Sequence, residues 1–357
     1  MAPHLRRPRR IGHMIAAYTV VIVTAACAAA EPSTPLPAPV AQPAIEPVAS
    51  LPAPVAQAAG GPTDAAAAIP AGLGVPEGTT SPAVTGKLRG ATTVEADTLL
   101  DVAYENDLGF IELIAANPGV DPWLPGEGAA ILLPTQHILP DAPHEGVIIN
   151  LAAMRLYYVP PDGGEVRTYP VGIGRGGLST PTGRTTINAK VKEPAWYPTE
   201  RMRKEDPSLP RVMGPGPENP LGNYALDLGW PAYLIHGTNK KWGIGRRVSS
   251  GCIRLYPEGI RDLFGRIESG TPVTVVDQPL KFAWIDGDLY LEAHTTQTQA
   301  EALEQTGSFE PDPNLDLARR VGDALGERDV AVDWPRLRRV VAERRGIPVR
   351  VTKAAPS

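Results

Sequence analysis

One thiol and one imidazole stand out because of their neighbours. Cys252 lies in Ser249-Ser250-Gly251-Cys252-Ile253-Arg254, and His236 opens His236-Gly237-Thr238-Asn239 sixteen positions earlier. The thiolate is the attacking form of cysteine, and a free thiol is only slightly ionised at neutral pH, so a nucleophilic cysteine needs a base within reach. An imidazole can take the proton, hold an ion pair with the sulfur and later return the proton to a leaving amine. The chemistry this pair suits is acyl transfer through a thioester. Gly251 leaves room for a substrate backbone beside the sulfur. The N–H groups of Gly251 and Cys252 are candidate donors to the developing oxyanion, where one donor is worth about 3 kcal/mol of barrier. Ser249 and Ser250 support the turn, Ser249 by holding either His236 or the loop. Arg254 either braces the loop on a buried carboxylate, binds a substrate carboxylate or shapes the field at the thiolate. Gly237, Thr238, Asn239 and Trp242 follow the imidazole, and the last three are candidates to line the acceptor side of a substrate site. An isolated cysteine is usually a small buried hydrophobe, and it is the company of His236 and Gly251 that reverses that reading here.

Those residues need strands to hold them. Ala232 to Ile235 leads directly into His236, and Cys252 follows a short glycine-containing turn. Adjacent strands at these two places would bring the side chains within hydrogen-bond reach. Val147 to Leu151, Met154 to Val159, Val166 to Ile173, Arg184 to Val191 and Thr271 to Val276 have strand-like patterns. Glu258 to Ile267 reads as a helix closed by Gly270. Glu193 to Pro220 is rich in proline and has little regular signal. Phe282 to Glu292 reads as a hairpin turning at Asp286-Gly287-Asp288, and the chain after Gln297 has a polar helical pattern without a legible role. The run Gly174 to Gly177 is not a phosphate loop, because no Lys-Ser/Thr ending and no helix follow it. His137, His144, His236 and His294 lack metal-ligand spacing, so neither a metal nor a cofactor is expected.

With its upstream His-Gly, a gap, and then Ser-Ser-Gly-Cys followed by an apolar residue and Arg, the chain resembles the L,D-transpeptidase (YkuD) family, most nearly its ErfK/YbiS/YcfS branch. Thr180-Pro181-Thr182-Gly183 matches a further signature of that family, with Thr182 and Gly183 shaping a turn. Many relatives carry His at the position of Ser250; the ErfK type often has Ser. The resemblance implies a mainly β fold, a β-sandwich or barrel with one or two helices. It also implies Cys252 as nucleophile, His236 as base and the stem peptides of peptidoglycan as substrate. Cys252 would attack the L-centre carbonyl of the third stem residue and release D-Ala. The acyl group would then pass to an amine, giving a 3→3 cross-link or attaching a wall lipoprotein. Three other readings stay open: an L,D-carboxypeptidase, an amidase that releases lipoprotein, and a wall-binding protein without catalysis. An NlpC-type peptidase places Cys before His, the reverse of the order here.

Composition sets the surroundings. The net charge is -5 over 357 residues, which leaves no cationic surplus for a nucleic-acid partner. Arg6, Arg7, Arg9 and Arg10 followed by the apolar run Met14 to Ala30 read as an export leader spanning 1–30. Thr24-Ala25-Ala26-Cys27 also resembles a lipoprotein signal, so a membrane anchor is expected only if Cys27 is lipidated. These readings, and the third one of an uncleaved N-terminal anchor, all place the rest in the periplasm or cell envelope. Residues 31–87 are rich in Ala and Pro, repeat Leu-Pro-Ala-Pro-Val-Ala-Gln from Leu36 and Leu51, and read as a disordered spacer. Between 88 and 140, a helix from Asp97, a second from Leu108 to Ala116 and a strand at Ala129 to Pro134 resemble a LysM module, which implies glycan binding. The catalytic domain is expected at 144–278, and a hairpin with a helical tail at 279–357.

Overall fold

The computed structural model describes residues 69–312 and 315–353. The expected leader, Cys27 and the spacer up to residue 68 lie outside them. The first ordered elements are β1 (Val84–Gly86), β2 (Arg89–Thr92), α1 (Leu99–Glu105), α2 (Phe110–Ala116), β3 (Ala130–Leu133) and β4 (Gln136–Ile138). Order therefore begins earlier than the spacer boundary at 87. Val75 is buried, and Ala83 and Val84 pack with it against Ile138, Ala283 and Ile285. The apolar cover for this stretch comes from the C-terminal hairpin, which local composition cannot reveal.

β2 pairs antiparallel with β3, and the two helices lie between them in the chain. α1 starts where Thr98 accepts the Asp101 N–H and the Asp101 side chain accepts the Thr98 N–H, a reciprocal cap that satisfies two otherwise unpaired donors. This βααβ unit is not a bead on a string. Leu99, Leu108, Phe110 and Leu113 belong to the same core as the central sheet. Gly109 at the start of α2 meets Gly245 so closely that a Cβ on either would come within 2.8 or 2.2 Å of the other's Cα. The close approach lets Ile111 N–H reach Gly245 O at 3.2 Å.

The middle of the chain supplies β5 (Gly146–Asn150), β6 (Arg155–Val159), β7 (Arg167–Pro170), β8 (Ile173–Gly174), β9 (Gly183–Lys192), α3 (Glu200–Glu205), β10 (Tyr224–Leu228), β11 (Leu234–His236), β12 (Arg247–Ser249), β13 (Ile253–Arg254), α4 (Pro257–Arg266) and β14 (Pro272–Val276). Eight of these form one sheet in the order β13-β11-β10-β9-β14-β5-β6-β7. Its edges meet: Gly172, just past β7, and Arg254 in β13 exchange backbone hydrogen bonds of 2.9 Å each. The sheet thus curls shut at the segment that carries Cys252, and closure removes an exposed edge. Inside it Val147, Ile149, Leu156, Ile187, Leu226, Ile235 and Val273 pack with Ile260 and Leu263 of α4. Each such buried side chain is worth about 1.5–3 kcal/mol. α4 begins with Pro257 in its first turn and stops at Arg266, before Gly270. Gly270, at φ 90°, instead makes the turn into β14.

The remainder forms β15 (Leu280–Ile285), β16 (Asp288–Ala293), α5 (Gln297–Thr306), α6 (Leu317–Leu325), α7 (Trp334–Glu343) and β17 (Val349–Arg350). β15 and β16 make the expected hairpin, with Asp286 and Gly287 both at positive φ. A buried ionic cluster joins the three parts of the molecule. Glu112 of α2 pairs with Arg155 of β6 at 2.6 Å, and Glu292 of β16 pairs with Lys281 at 2.8 Å and His294 at 2.6 Å. Burial raises the Glu292 carboxyl, but Lys281 and the flanking histidines outweigh it and hold the group well below the usual carboxylate range.

Candidate active site

β11 and β13 run parallel, with Ile235 beside Ile253 and His236 beside Arg254. Side chains alternate along a strand, so His236 and Arg254 share one face. Cys252 immediately precedes β13, close enough that its charge acts on the Arg254 guanidinium. His236 is buried, its Nδ1–H donates to Gly237 O at 2.6 Å, and the Leu221 backbone also hydrogen-bonds the ring. Burial, and then the Arg254 guanidinium, push the imidazole down to about 3. The ring is therefore neutral at neutral pH, and the expected resting ion pair is opposed, because a buried imidazolium beside a guanidinium is disfavoured. Cys252 is partly exposed, and its Sγ donates to Ala232 O at 3.7 Å. In this structure the thiol rests on a backbone carbonyl.

The turn before Cys252 is tied down residue by residue. Ser249 is buried; its Oγ accepts the Gly251 N–H at 3.1 Å and donates to Cys252 O at 2.6 Å. Thr180 Oγ1 accepts the Gly174 N–H at 3.1 Å and donates to Gly251 O at 2.8 Å. Of the two roles open for Ser249, the structure places it on the loop and not on His236. Two expectations for Gly251 are corrected. Its N–H is engaged by Ser249, so it is not an oxyanion donor here. The space beside it belongs to Tyr233: a Cβ would lie 2.9 Å from the Tyr233 ring, and φ is 108°. The missing side chain accommodates an aromatic ring, not a substrate backbone.

Ser250 Oγ accepts from Arg201 of α3 at 2.9 Å. α3 lies within the Pro-rich stretch that carried little regular signal, and none of its residues is buried. Among the described residues Arg254 finds no carboxylate: its Nε is buried without a hydrogen-bond partner, burial lowers its pKa, and the charge on Cys252 partly offsets that. The described residues offer no carboxylate for a brace, and the readings that point Arg254 at the sulfur or at a substrate anion remain. Gly237, Thr238 and Asn239 line a cleft of about 160 Å³ with Asn219, Gly222 and Tyr224. Thr238 is itself buried, and its Oγ1 accepts the Lys240 N–H at 2.9 Å. Trp242 is exposed but engaged elsewhere. The Arg246 guanidinium lies 5.6 Å from its ring and 5.4 Å from that of Phe110, on the side facing α2.

A profile of the YkuD L,D-transpeptidase catalytic domain matches residues 144–275. The probable L,D-transpeptidases YcfS and YbiS of Escherichia coli K12 are 39% and 41% identical over 261 and 255 residues. Those matches span 71% and 70% of this chain and 79% and 81% of the relatives. The chain belongs to the L,D-transpeptidase family. Among solved structures, the catalytic domain of the Enterococcus faecium L,D-transpeptidase is 25% identical over 38% of this chain and 99% of that one, with a TM-score of 0.30. The family match spans the expected catalytic domain almost residue for residue and contains both His236 and Cys252. Three residues around this L,D-transpeptidase site escaped the sequence reading. Thr180 belongs to the Thr-Pro-Thr-Gly signature, which is a usable signal; it is buried, whereas Thr182 of the same signature is exposed. Arg201 and the Ala232 carbonyl act across long stretches of chain and leave no local mark.

Proposed function

We propose that this protein is a peptidoglycan L,D-transpeptidase in which Cys252 is the nucleophile and His236 the base. The observation that supports the reading is the parallel pairing of His236 with Arg254, with the partly exposed Cys252 two residues before Arg254. As the sulfur leaves the Ala232 carbonyl and attacks the third stem residue, its proton passes to His236. The tetrahedral centre collapses with cleavage of the C–N bond, and the imidazolium returns the proton to the departing D-Ala amine. A thioester remains. An incoming amine attacks it, gives a proton to His236 and restores the thiol. The Arg254 guanidinium stabilises negative charge on the sulfur, and it disfavours a lasting imidazolium, so the proton is held only transiently.

The substrates follow from the family: stem peptides of peptidoglycan, with an amine of a second stem or of a wall-attached lipoprotein as acceptor. The βααβ unit supports a glycan contact. Val94, Trp123 and Leu124 are exposed on the loops flanking its helices, and Trp123 lies 5.4 Å from Phe110. Exposed apolar residues so placed suit a sugar face. These partners place the protein in the cell envelope. The test is intact-protein mass spectrometry of the full chain with purified disaccharide-tetrapeptide. A D-Ala-releasing acyl adduct that is absent in Cys252→Ala, and that transfers to an added amine, is expected. No adduct at Cys252 under any condition would overturn the proposal, and release to water alone would make the enzyme a carboxypeptidase.

A further inference from the structure

The helical tail, unreadable in the sequence, reaches the catalytic loop. Glu301 and Glu304 of α5 form ion pairs with Arg247 and Arg246, the residues that lead into Ser249. Arg246 Nε also donates to Glu304 at 2.7 Å, and Arg247 reaches the Gln297 carbonyl at 3.5 Å. The Arg247 side chain is only 7% exposed, and its Nε has no hydrogen-bond partner. Glu301 is the carboxylate that compensates this charge among the described residues. α5 is anchored in turn, because Ala300 and Leu303 sit in the core shared with α2 and the central sheet.

What α5 grips is weakly held otherwise. β12 lies outside the eight-stranded sheet and pairs in parallel with β8 alone, at Arg247–Ile173 and Ser249–Gly174. Such a short parallel ladder fixes little by itself. Yet Ser249, two residues beyond Arg247, holds the Gly251 N–H and the Cys252 carbonyl. The position of the sulfur therefore depends on where β12 ends, together with the hold of Thr180 on the Gly251 carbonyl.

We infer that Glu301 and Glu304 are positioning residues for the acyl-transfer step, holding Arg247 and Arg246 so that β12 delivers the Ser249–Cys252 turn in register with His236. This rests on the reading of Cys252 as nucleophile. The glutamates touch neither substrate nor sulfur. Their removal leaves a nearly buried guanidinium uncompensated, which draws Arg247 toward water and shifts the turn.

The experiment uses the full chain with Glu301→Gln, Glu304→Gln and the double variant, and the exposed Gln305→Ala of the same helix as control. Two rates are read at Cys252 by peptide mapping: acylation by disaccharide-tetrapeptide, and alkylation by iodoacetamide across pH. Acylation in the double variant is expected to slow about ten- to a hundredfold at saturating peptide, with half-saturation nearly unchanged and an altered alkylation profile. Glu301→Asp should recover part of the rate, and Gln305→Ala should match the wild type. Wild-type acylation per folded molecule in the double variant would overturn the inference. So would a loss that merely tracks the unfolded fraction in thermal melts. If the wild type itself is never acylated, the transpeptidase reading fails. The alkylation profile then decides the positioning role alone, and an unchanged profile in the double variant refutes it.

Discussion

Gly251→Ala tests how tightly the turn of the proposed nucleophile is determined. Two costs can be worked from the structure. A φ of 108° is a conformation L-residues rarely adopt, and holding one there costs about 1–3 kcal/mol. The new Cβ would lie 2.9 Å from Tyr233 Cε1, and overpacking of this kind costs about 1–3 kcal/mol. Together they amount to about 2–6 kcal/mol if nothing moves. Because Ser249 and Thr180 clasp Gly251 on both sides, the loop relieves this strain by displacing Cys252. Acylation by disaccharide-tetrapeptide is then expected to fall about a hundredfold. The assay is single-turnover mass spectrometry beside thermal melts. Adding Tyr233→Ala removes the clash and leaves the φ strain, so the double variant should show favourable coupling of about 1–3 kcal/mol in a double-mutant cycle. Wild-type acylation and melting in Gly251→Ala would refute the reasoning, as would a cycle with no coupling.

His236 and His137 are depressed to about 3 and about 4 in the folded state, chiefly by burial, from an ordinary 6.5. The unfolded chain binds more protons across that window, so their contribution is complete above about pH 6.5 and is lost as pH falls toward 3–4. Urea unfolding should weaken by about 1.4 kcal/mol per pH unit for each such histidine, and His236→Gln should flatten the slope by one proton. Glu292→Gln strips Lys281 of its buried counter-charge and should destabilise the protein by about 3–5 kcal/mol in denaturant titrations, with Lys281→Met restoring much of the loss. Trp123→Ala should weaken co-sedimentation with insoluble peptidoglycan while Cys252 acylation by soluble disaccharide-tetrapeptide stays at the wild-type rate. Unchanged sedimentation would remove the glycan role from the βααβ unit.

Much of the site was legible because its parts are local. His236-Gly237 and Ser249 to Arg254 are short runs whose residue types already specify a thiol, a base and a turn, and the family resemblance they carry is borne out by the match over 144–275. The mainly β fold was legible too, since short apolar runs rich in β-branched and aromatic residues, as in Val147 to Leu151, Met154 to Val159 and Thr271 to Val276, suit buried strands. The hairpin at Asp286-Gly287 announced itself through the positive φ its turn requires.

What remained hidden was decided by contacts between distant stretches. That Gly251 makes way for Tyr233, that its N–H is held by Ser249, and that Arg254 meets no carboxylate among the described residues depend on how the sheet curls shut at Gly172 and Arg254. Likewise, the neutral state of His236 comes from burial and from a neighbour eighteen residues away in sequence. Residue type and spacing determine which groups can react and which local conformations are affordable. Solvent exclusion, charge proximity and register arise only when strands far apart in the chain pack together, and these decided how the imidazole and the guanidinium share one face.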